Sequence, residues 1–156
     1  YKVDILPCTP QTLSMLRRTE PEDLGTIYRM LCELEETEIP FEEFKQVFHH
    51  NLTSEDNLYL VAIDERGELV GHFSMHTQWL LHHAGRVAEV QEIFVNPGVR
   101  GSGFGKALLE EGKRWAREKG CVSIEVTANT KRSHTHEFYT RNGFLCTHKK
   151  FTIPSR

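Results

Sequence analysis

A glycine-rich run at residues 100–106, Arg-Gly-Ser-Gly-Phe-Gly-Lys, constrains the fold of this chain more than any other segment. It follows an apolar stretch that ends at Asn96-Pro97, and it precedes a helix-like stretch from Ala107 to Lys119. Three glycines in five positions allow a tight turn in which several backbone N–H groups point at one spot. The helix N-terminus adds unpaired donors and the positive end of its dipole. Strand, turn and helix together predict an anion site, and the favoured anion is a pyrophosphate.

The spacing of these glycines separates the run from two other phosphate-binding loops. A Walker A loop ends in Gly-Lys-Ser/Thr, whereas Lys106 is followed by Ala107. A dinucleotide fingerprint would need its third glycine at Lys106, and it belongs in the first strand–helix unit of a chain. The pattern that is left is Arg100-x-x-Gly103-x-Gly105.

Length and composition limit the class of protein. With 156 residues the chain is long enough for one domain with a substantial core; we assign residues 14–156 to it and residues 1–13 to an N-terminal extension. A net charge of −3 leaves no basic stripe, so nucleic acid is not expected as a partner. No apolar run approaches the roughly 20 residues that span a bilayer, so no membrane is expected either. The four cysteines form no Cys-x-x-Cys pair, which favours free thiols and a cytoplasmic location.

Hydrophobic periodicity and turn residues predict an α/β domain in which strands and helices are interspersed. The predicted strands cover residues 14–18, 58–63, 69–80, 86–95 and 121–126, with one or two further strands in 144–153. The predicted helices begin near Pro21 and Phe41, on either side of a break at Pro40, and then cover 107–119 and 131–141.

Two glutamates, Glu89 and Glu92, lie in the strand before the glycine-rich run. Strict alternation would place Glu92 on one face of that strand together with Val90, and Glu89 on the other face. A carboxylate on a central strand is costly unless it is paired or faces a wet cleft. Either glutamate is therefore a candidate base, and the alternative is a structural carboxylate that accepts backbone N–H groups.

Histidine is unusually frequent, with nine in the chain. Four of them, His72, His76, His82 and His83, lie in one predicted strand and the loop after it. Such a cluster can bind a divalent metal or an anionic substrate, whereas a lone histidine is more often structural. No spacing matches a closed zinc site, so the metal ligands stay unknown.

The loop pattern Arg100-x-x-Gly103-x-Gly105, with Asn129 and Phe138-Tyr139 downstream, resembles the GNAT acetyltransferase superfamily. The resemblance implies an α/β fold with a central mixed sheet of six to seven strands flanked by about four helices. It also implies acetyl-CoA as the cofactor, with the loop around its pyrophosphate and the preceding strand along its pantetheine arm. The implied cofactor-binding residues are Ile93, Phe94, Val95, Arg100, Gly101, Ser102, Gly103, Phe104, Gly105, Lys106, Asn129, Phe138 and Tyr139.

The resemblance further implies how acetyl transfer would be catalysed. GNAT enzymes often use an acidic residue at or beside the position of Gln91-Glu92 as a water-mediated base, which favours Glu92 and leaves Glu89 second. Tyr139 stands where many of these enzymes have a general acid near the thioester sulfur. A phenol with a pKa of about 10 suits reprotonation of a thiolate. The alternative for Tyr139 is a core aromatic residue with a satisfied hydroxyl.

A finer resemblance is to the aminoalkylphosphonate N-acetyltransferases, a GNAT branch stimulated by divalent metals. It is carried by residues 31–36, 80–83, 89–92, 127–132 and 136–139. It implies a small primary amine with a phosphonate group as substrate, and a divalent metal ion as a further cofactor. The groups that would meet the phosphonate are His82, His83, Lys131, Arg132 and His136.

Several acceptors stay open at the level of sequence. An aminoglycoside or polyamine would require an acidic pocket, and the acids that could form one are Glu33, Glu35, Glu36 and Glu38. A protein or peptide acceptor would require an open groove, and a non-catalytic acyl-CoA sensor would have no use for both Glu92 and Tyr139. The oligomeric state also stays open at the level of sequence, and a homodimer is one alternative.

Overall fold

The computed structural model of the protein describes residues 15–155; the predicted N-terminal extension, 1–13, lies outside them. One five-stranded sheet in the order β1-β2-β3-β4-β5 forms the centre of this part of the chain. The strands are β1 (Met15–Arg18), β2 (Asn57–Ile63), β3 (Leu69–Leu80), β4 (Gly85–Val95) and β5 (Ser123–Val126). The helices are α1 (Leu24–Glu35), α2 (Phe41–Leu52), α3 (Phe104–Glu118) and α4 (Ser133–Arg141), with single 3-10 turns at Pro21–Asp23, Leu81–His83 and Pro97–Val99.

The connections between strands determine their directions. Strands β1 to β4 are antiparallel, and β4 and β5 are parallel. The β2–β3 turn is closed by Asp64, whose carboxylate accepts the N–H groups of Arg66 and Glu68, with Gly67 at a φ of 80°. The β4–β5 connection contains α3, because two parallel neighbours need a crossover long enough to return the chain.

Each face of the sheet carries its own apolar layer. The face under α3 is covered by a cluster that includes Leu58, Phe73, Val90 and Leu108. The face under α1 and α2 carries a smaller cluster of Ile27, Leu31, Phe48 and Val61. The helices therefore lie on both faces of the sheet, and the side with the smaller apolar cluster has room for polar side chains.

A β-bulge interrupts the register of β3 and β4. Ser74 is opposite Glu92, but the next residue, Met75, is opposite Val90, so Gln91 is an extra residue in β4. Cross-strand partners share a face, and Ser74 and Met75 point to opposite faces. The prediction that Glu92 shares a face with Val90 is therefore wrong. Val90 belongs to the apolar cluster under α3, and Glu92 faces α1 and α2.

The end of the chain also differs from expectation. The predicted strand or strands in residues 144–153 are absent, and the described part of the chain has five strands instead of six or seven. Phe144 still packs against the cluster under α3, whereas every residue from 145 to 155 is exposed. A strand forms only where a neighbouring strand pairs with its backbone groups. Among the described residues, no strand is paired with this segment. The α/β class, the mixed sheet and the four flanking helices are confirmed.

Of the helices in residues 15–155, none is at once long and apolar enough to pass through a bilayer.

Helix α3 lies close against the sheet at Gly112. A Cβ added there would lie 2.5 Å from Cζ of the fully buried Phe73. We expect Gly112→Ala to destabilise the protein by about 1–3 kcal/mol, because overpacking outweighs the better helix propensity of alanine. Gly25→Ala in α1 is the matched control, since the nearest atom would be 3.9 Å away. Urea unfolding should show equal or higher stability for the control, and equal effects of both substitutions would contradict the close approach.

Candidate active site

The glycine-rich loop forms a cradle of free backbone donors. Gly101 and Gly103 have φ angles of 84° and 89°, and α3 begins at Phe104, three residues before the predicted start. The buried Phe104 ring belongs to the cluster under α3 and so fixes the loop to the core. Across the loop and the first turn of α3, five N–H groups donate to no backbone oxygen of the described residues: those of Gly101, Gly103, Phe104, Gly105 and Lys106. Such a group of donors at a helix N-terminus is suited to an anion.

One aromatic and one basic side chain shape this cradle. A Cβ on Gly105 would touch the ring of Phe138 at 3.6 Å, so α4 packs directly over the first turn of α3. Arg100 donates from Nε to the backbone oxygen of Val95 at 3.0 Å. In this arrangement Arg100 ties the loop to the end of β4, while Lys106 lies on the first turn of α3.

Strand β4 has an open edge beside the loop. Its pairing with β5 runs only from Val87 to Val90, although β4 continues to Val95. Among the described residues, no strand lies on that side of residues 91–95. The N–H of Asn96 donates to the backbone oxygen of Val70 in β3, so by alternation the backbone groups of Phe94 point to β3 and those of Ile93 and Val95 point to the open edge. Ile93 and the N–H of Val95 are therefore free to pair with an extended ligand.

Glu92 is held in place by its partner across the sheet. The hydroxyl of the fully buried Ser74 donates to the Glu92 carboxylate, and the N–H of Glu92 donates to that hydroxyl oxygen at 3.1 Å. Burial, followed by the negative charge of Glu35, raises the pKa of Glu92 to about 7. A carboxyl group with a pKa near neutrality is suited to accept and release a proton at working pH.

A cavity of about 260 Å³ opens between this face of the sheet and helices α1 and α2, and Glu92 lies in its wall. The apolar side chains of the lining come from the two helices and the loop between them, and the polar ones come from strands β2 to β4 and, at Glu35 and Asn51, from the helices. The lining residues are Ile27, Leu31, Glu35, Ile39, Phe44, Val47, Phe48, Asn51, Tyr59, His72, His76, Gln91 and Glu92.

A second polar group lies in the cavity wall around Tyr59. Its hydroxyl accepts from Nδ2 of Asn51 at 2.8 Å and lies 3.1 Å from Nε2 of His76. Burial and the nearby Glu92 charge raise the pKa of Tyr59 to about 12, so its phenol is protonated at neutral pH. Burial lowers the pKa of His72 to about 4, and the Nδ1 atom of this neutral ring has no hydrogen-bond partner in the described residues.

Sequence reasoning missed Tyr59, Ser74 and Asn51. A signal was present, because polar side chains recur at alternate positions of two buried strands: Asn57 and Tyr59 in β2, and His72, Ser74 and His76 in β3. Positions on one face of a buried sheet are normally apolar, so such a polar stripe indicates a lined cavity.

The other two candidate catalytic residues lie outside this cavity lining. Glu89 is opposite His76 in the ladder and accepts from the Thr127 hydroxyl at 3.3 Å. Tyr139 is buried in α4 between the rings of Phe138 and Phe144, each with its centroid 5.3 Å away. Burial raises the pKa of Tyr139, which keeps its phenol protonated.

The segment between β5 and α4 brings some of the predicted substrate residues near the cavity. Arg132 donates from Nη2 to the backbone oxygen of Leu34 at 2.5 Å and lies 3.3 Å from the carboxylate of Glu35, which lines the cavity. Asn129 closes the turn, because its side-chain oxygen accepts the N–H of Lys131 at 3.0 Å. His136 contacts the backbone oxygen of Asn129 at 2.8 Å, and Lys131 is exposed.

The structure separates the histidines. His82 and His83 follow the end of β3, six ladder positions from the Ser74–Glu92 pair, which corresponds to about 20 Å along the strands. His83 instead contacts Glu125 at 3.2 Å. Within residues 15–155, no three His, Cys, Asp or Glu side chains are grouped as a metal site requires. The described residues therefore do not fit the expected divalent metal.

Comparison with known proteins places this geometry in a family. The model of the family described as acetyltransferase (GNAT) matches residues 24–144. The aminoalkylphosphonate N-acetyltransferase of Salmonella typhimurium is 37% identical over 137 residues, which are 88% of each chain.

Solved structures share the fold at lower sequence identity. A transcriptional regulator from Bacillus halodurans superposes with a TM-score of 0.82 at 21% identity, covering 90% of this chain and 99% of its own. Aminoglycoside N-acetyltransferase AAC(6')-Iy in complex with CoA gives 0.80 at 17% identity, covering 96% and 99%. At such identities the likeness establishes the fold alone.

The left-handed glycines of the loop provide a test of the predicted acetyl-CoA site. Gly103→Ala places a Cβ at a φ of 89°, which strains the loop and should displace its free N–H groups. We expect calorimetric titration to show at least about a tenfold loss of acetyl-CoA affinity. Gly67→Ala is the matched control, because it introduces the same strain at a φ of 80° in the β2–β3 turn. Unchanged affinity in Gly103→Ala would contradict the assignment.

Proposed function

The chain belongs to the acetyltransferase (GNAT) family and is an N-acetyltransferase, and we propose that its acceptor is the primary amine of a small aminoalkylphosphonate. Acetyl-CoA is the donor that GNAT acetyltransferases use. The observation that carries the proposal is Glu92, a buried carboxyl with a pKa of about 7 in the wall of a small cavity. The identity of 37% to an aminoalkylphosphonate N-acetyltransferase supports the choice of acceptor.

Glu92 is the proposed base. An alkylamine with a pKa of about 10 is mostly an ammonium ion at neutral pH, so it must lose a proton before its nitrogen can attack. The Glu92 carboxylate accepts this proton, directly or through a water molecule. Ser74 engages one carboxylate oxygen and leaves the other for the incoming proton. Because protonated Glu92 cannot act as a base, activity should rise as the pH passes through about 7.

Tyr139 is the proposed acid. The amine nitrogen attacks the thioester carbonyl carbon, the carbon–sulfur bond breaks, and the departing thiolate takes a proton from the Tyr139 phenol. The products are the amide and the free thiol of CoA. Since Tyr139 does not line the Glu92 cavity, the base and the acid act from different sides of the reacting thioester.

The cofactor would occupy the free backbone groups beside the cavity. In this arrangement Ile93 and the N–H of Val95 pair with the pantetheine arm along the open edge of β4, and the N–H groups of the glycine-rich loop hold the pyrophosphate. The carbonyl of Val95 is already engaged by Arg100, so we assign Arg100 to shaping the loop. The cavity then lies on the acceptor side of the thioester.

Arg132 is the proposed partner of the phosphonate. It lies at the edge of the cavity beside Glu35, and among the described residues no lysine or arginine is part of the cavity lining. A phosphonate dianion can displace the exposed Glu35 carboxylate from the guanidinium and accept two parallel hydrogen bonds. Lys131 is next to it in the chain and adds positive charge.

A polyamine or aminoglycoside is the second candidate acceptor, and Glu35 is the observation that favours it. Of the four acids expected to form an acidic pocket, Glu35 lines the cavity, whereas Glu33, Glu36 and Glu38 do not. A volume of about 260 Å³ is at the lower limit for drug-sized ligands, which favours a small acceptor over an aminoglycoside.

The base assignment can be tested with two matched substitutions in β4. We expect Glu92→Gln to lower kcat by roughly 10²–10⁴-fold and to abolish the rise of activity through about pH 7, because the amide cannot accept the proton. Glu89→Gln makes the same change three residues earlier and should retain most of the activity. Steady-state thiol release across the pH range is the measurement. A fully active Glu92→Gln enzyme, with loss of activity in Glu89→Gln, would move the role to Glu89.

The acceptor assignment can be tested by comparing substrates. We expect kcat/KM for 2-aminoethylphosphonate to exceed that for propylamine, which lacks the anion, and that for an aminoglycoside. Arg132→Gln should remove the preference over propylamine by about 10–150-fold, the value of one charge-assisted hydrogen bond of roughly 1.5–3 kcal/mol. Arg141→Gln, at an exposed position of α4, is the matched control and should leave the preference intact. A preference for the aminoglycoside would refute the phosphonate assignment and leave the acetyltransferase activity standing.

A further inference from the structure

Tyr59, Ser74 and Glu92 form a row across the face of the sheet that borders the cavity. Tyr59 is opposite Ser74 in the ladder of β2 and β3, and Ser74 is opposite Glu92 in that of β3 and β4. Neighbouring strands lie about 4.8 Å apart, so the backbones of Tyr59 and Glu92 are roughly 10 Å apart. Both side chains line the cavity, and the open edge of β4 is on the far side of Glu92. A small group bound between the two side chains therefore lies beside the edge proposed for the thioester.

The neighbours of Tyr59 fix the position of its hydroxyl. In β3, His72 and His76 lie two residues before and after Ser74, and each ring centroid is 5.8 Å from that of Tyr59. Nδ2 of Asn51, in α2, donates to the hydroxyl at 2.8 Å. The side chain is packed along its ring and bonded at its tip, so the oxygen has a defined place in the cavity wall.

The hydroxyl of Tyr59 is a donor to His76 and an acceptor toward the cavity. Its oxygen has two lone pairs, and Asn51 occupies one of them. Burial, opposed by the charge of Glu89, lowers the pKa of His76, so its ring is neutral at neutral pH and one ring nitrogen is an acceptor. Glu89 is opposite His76 on the side remote from β2, and its carboxylate favours the ring proton on Nδ1. Nε2, 3.1 Å from the hydroxyl, then accepts the Tyr59 proton, and the second lone pair of Tyr59 is left for a donor in the cavity.

We propose that the Tyr59 oxygen accepts an N–H of the acceptor amine and thereby makes the enzyme selective for primary amines. This role rests on the proposed function, since it requires Glu92 as the base. A primary ammonium ion has three N–H groups: one donates to Glu92, which takes that proton, and one donates to Tyr59. The amine that is left has two N–H groups and a lone pair. While Tyr59 holds one N–H on the β2 side, the lone pair can turn to the opposite side, toward the open edge of β4.

An N-methyl amine has one N–H fewer. If its ammonium ion donates to both Glu92 and Tyr59, the methyl group takes the remaining position, on the side of the open edge. It then stands where the nitrogen has to approach the thioester carbon. If the methyl group turns to Tyr59 instead, the hydroxyl oxygen loses its donor. Either arrangement slows the secondary amine relative to the primary one.

The preference for primary amines is measured with two matched pairs of acceptors. These are 2-aminoethylphosphonate with its N-methyl derivative, and propylamine with N-methylpropylamine. Steady-state thiol release should give the wild-type enzyme a kcat/KM about tenfold or more higher for the primary amine of each pair. Tyr59→Phe keeps the ring and removes the oxygen, so it should reduce the preference to about threefold or less, through a loss of kcat/KM for the primary amine.

Tyr28→Phe is the matched control. The Tyr28 hydroxyl donates to the backbone oxygen of Ile39 at 2.8 Å, and Tyr28 does not line the cavity. This variant should keep the wild-type preference. Calorimetric titration should show the same acetyl-CoA affinity in the wild type and both variants, which separates a loss of selectivity from a loss of folding.

Two substitutions of His76 test the direction of the Tyr59 proton. His76→Gln supplies a side-chain oxygen that can accept this proton, so the preference for primary amines should remain. His76→Leu supplies none, so the Tyr59 hydroxyl turns to the cavity and donates to the amine lone pair, and the preference should fall as in Tyr59→Phe. Equal preferences in the two His76 variants would overturn the assignment of the Tyr59 oxygen as an acceptor.

The failure of this role and the failure of the proposed acceptor give different results. A wild-type enzyme that acetylates propylamine as well as 2-aminoethylphosphonate refutes the phosphonate acceptor, and the propylamine pair still measures the role of Tyr59. A wild-type enzyme without preference in either pair, or a Tyr59→Phe variant that keeps the preference, overturns the role of Tyr59.

Discussion

The pairing of Ser74 with Glu92 across β3 and β4 is the interaction on which the site depends. One extra residue, Gln91, shifts the register just before it, and this shift turns Glu92 away from the face that buries Val90. Without the bulge, the carboxyl would enter the apolar layer under α3, where ionisation is prohibitively costly. With the bulge, it meets a hydroxyl donor and a cavity, and burial raises its pKa only to about 7. A local irregularity of the backbone therefore sets the chemistry of the side chain.

The same strand serves the site in a second way. Beyond Val90, β4 has lost β5 as a neighbour, so one edge of residues 91–95 is open while the other is fixed by β3. The glycine-rich loop follows directly, with its free N–H groups at the start of α3. Strand β4 thus contributes to the site in three ways. One face carries the Glu92 carboxyl group, the open edge presents backbone groups to an extended ligand, and the end leads into the anion cradle.

The histidines and acids show how folding sorts residues that look alike in the sequence. His72 and His76 lie in the cavity wall, whereas His82 and His83 follow the end of β3, which is about 20 Å along the strands from the Ser74–Glu92 pair. Among the acids expected to form a pocket, only Glu35 reaches the cavity. Clustering along the chain was therefore a poor guide to clustering in space. The expected metal site depended on that clustering, and it does not form in the described residues.

The sequence by itself determined the features that depend on local backbone chemistry. The glycine-rich loop, the order of strands and helices up to α4, and Glu92 as a candidate base follow from turn residues, periodicity and the cost of burying a carboxylate. Only the tertiary structure decided which face Glu92 occupies, because a bulge leaves no mark in an alternating pattern. It also decided that Tyr59, Asn51 and Ser74 surround the cavity, since their contacts join strands and helices distant in the chain. The predicted C-terminal strand shows the difference between sequence and tertiary structure. Residues 144–153 have strand propensity, but a strand also needs a neighbouring strand, and propensity alone cannot supply one.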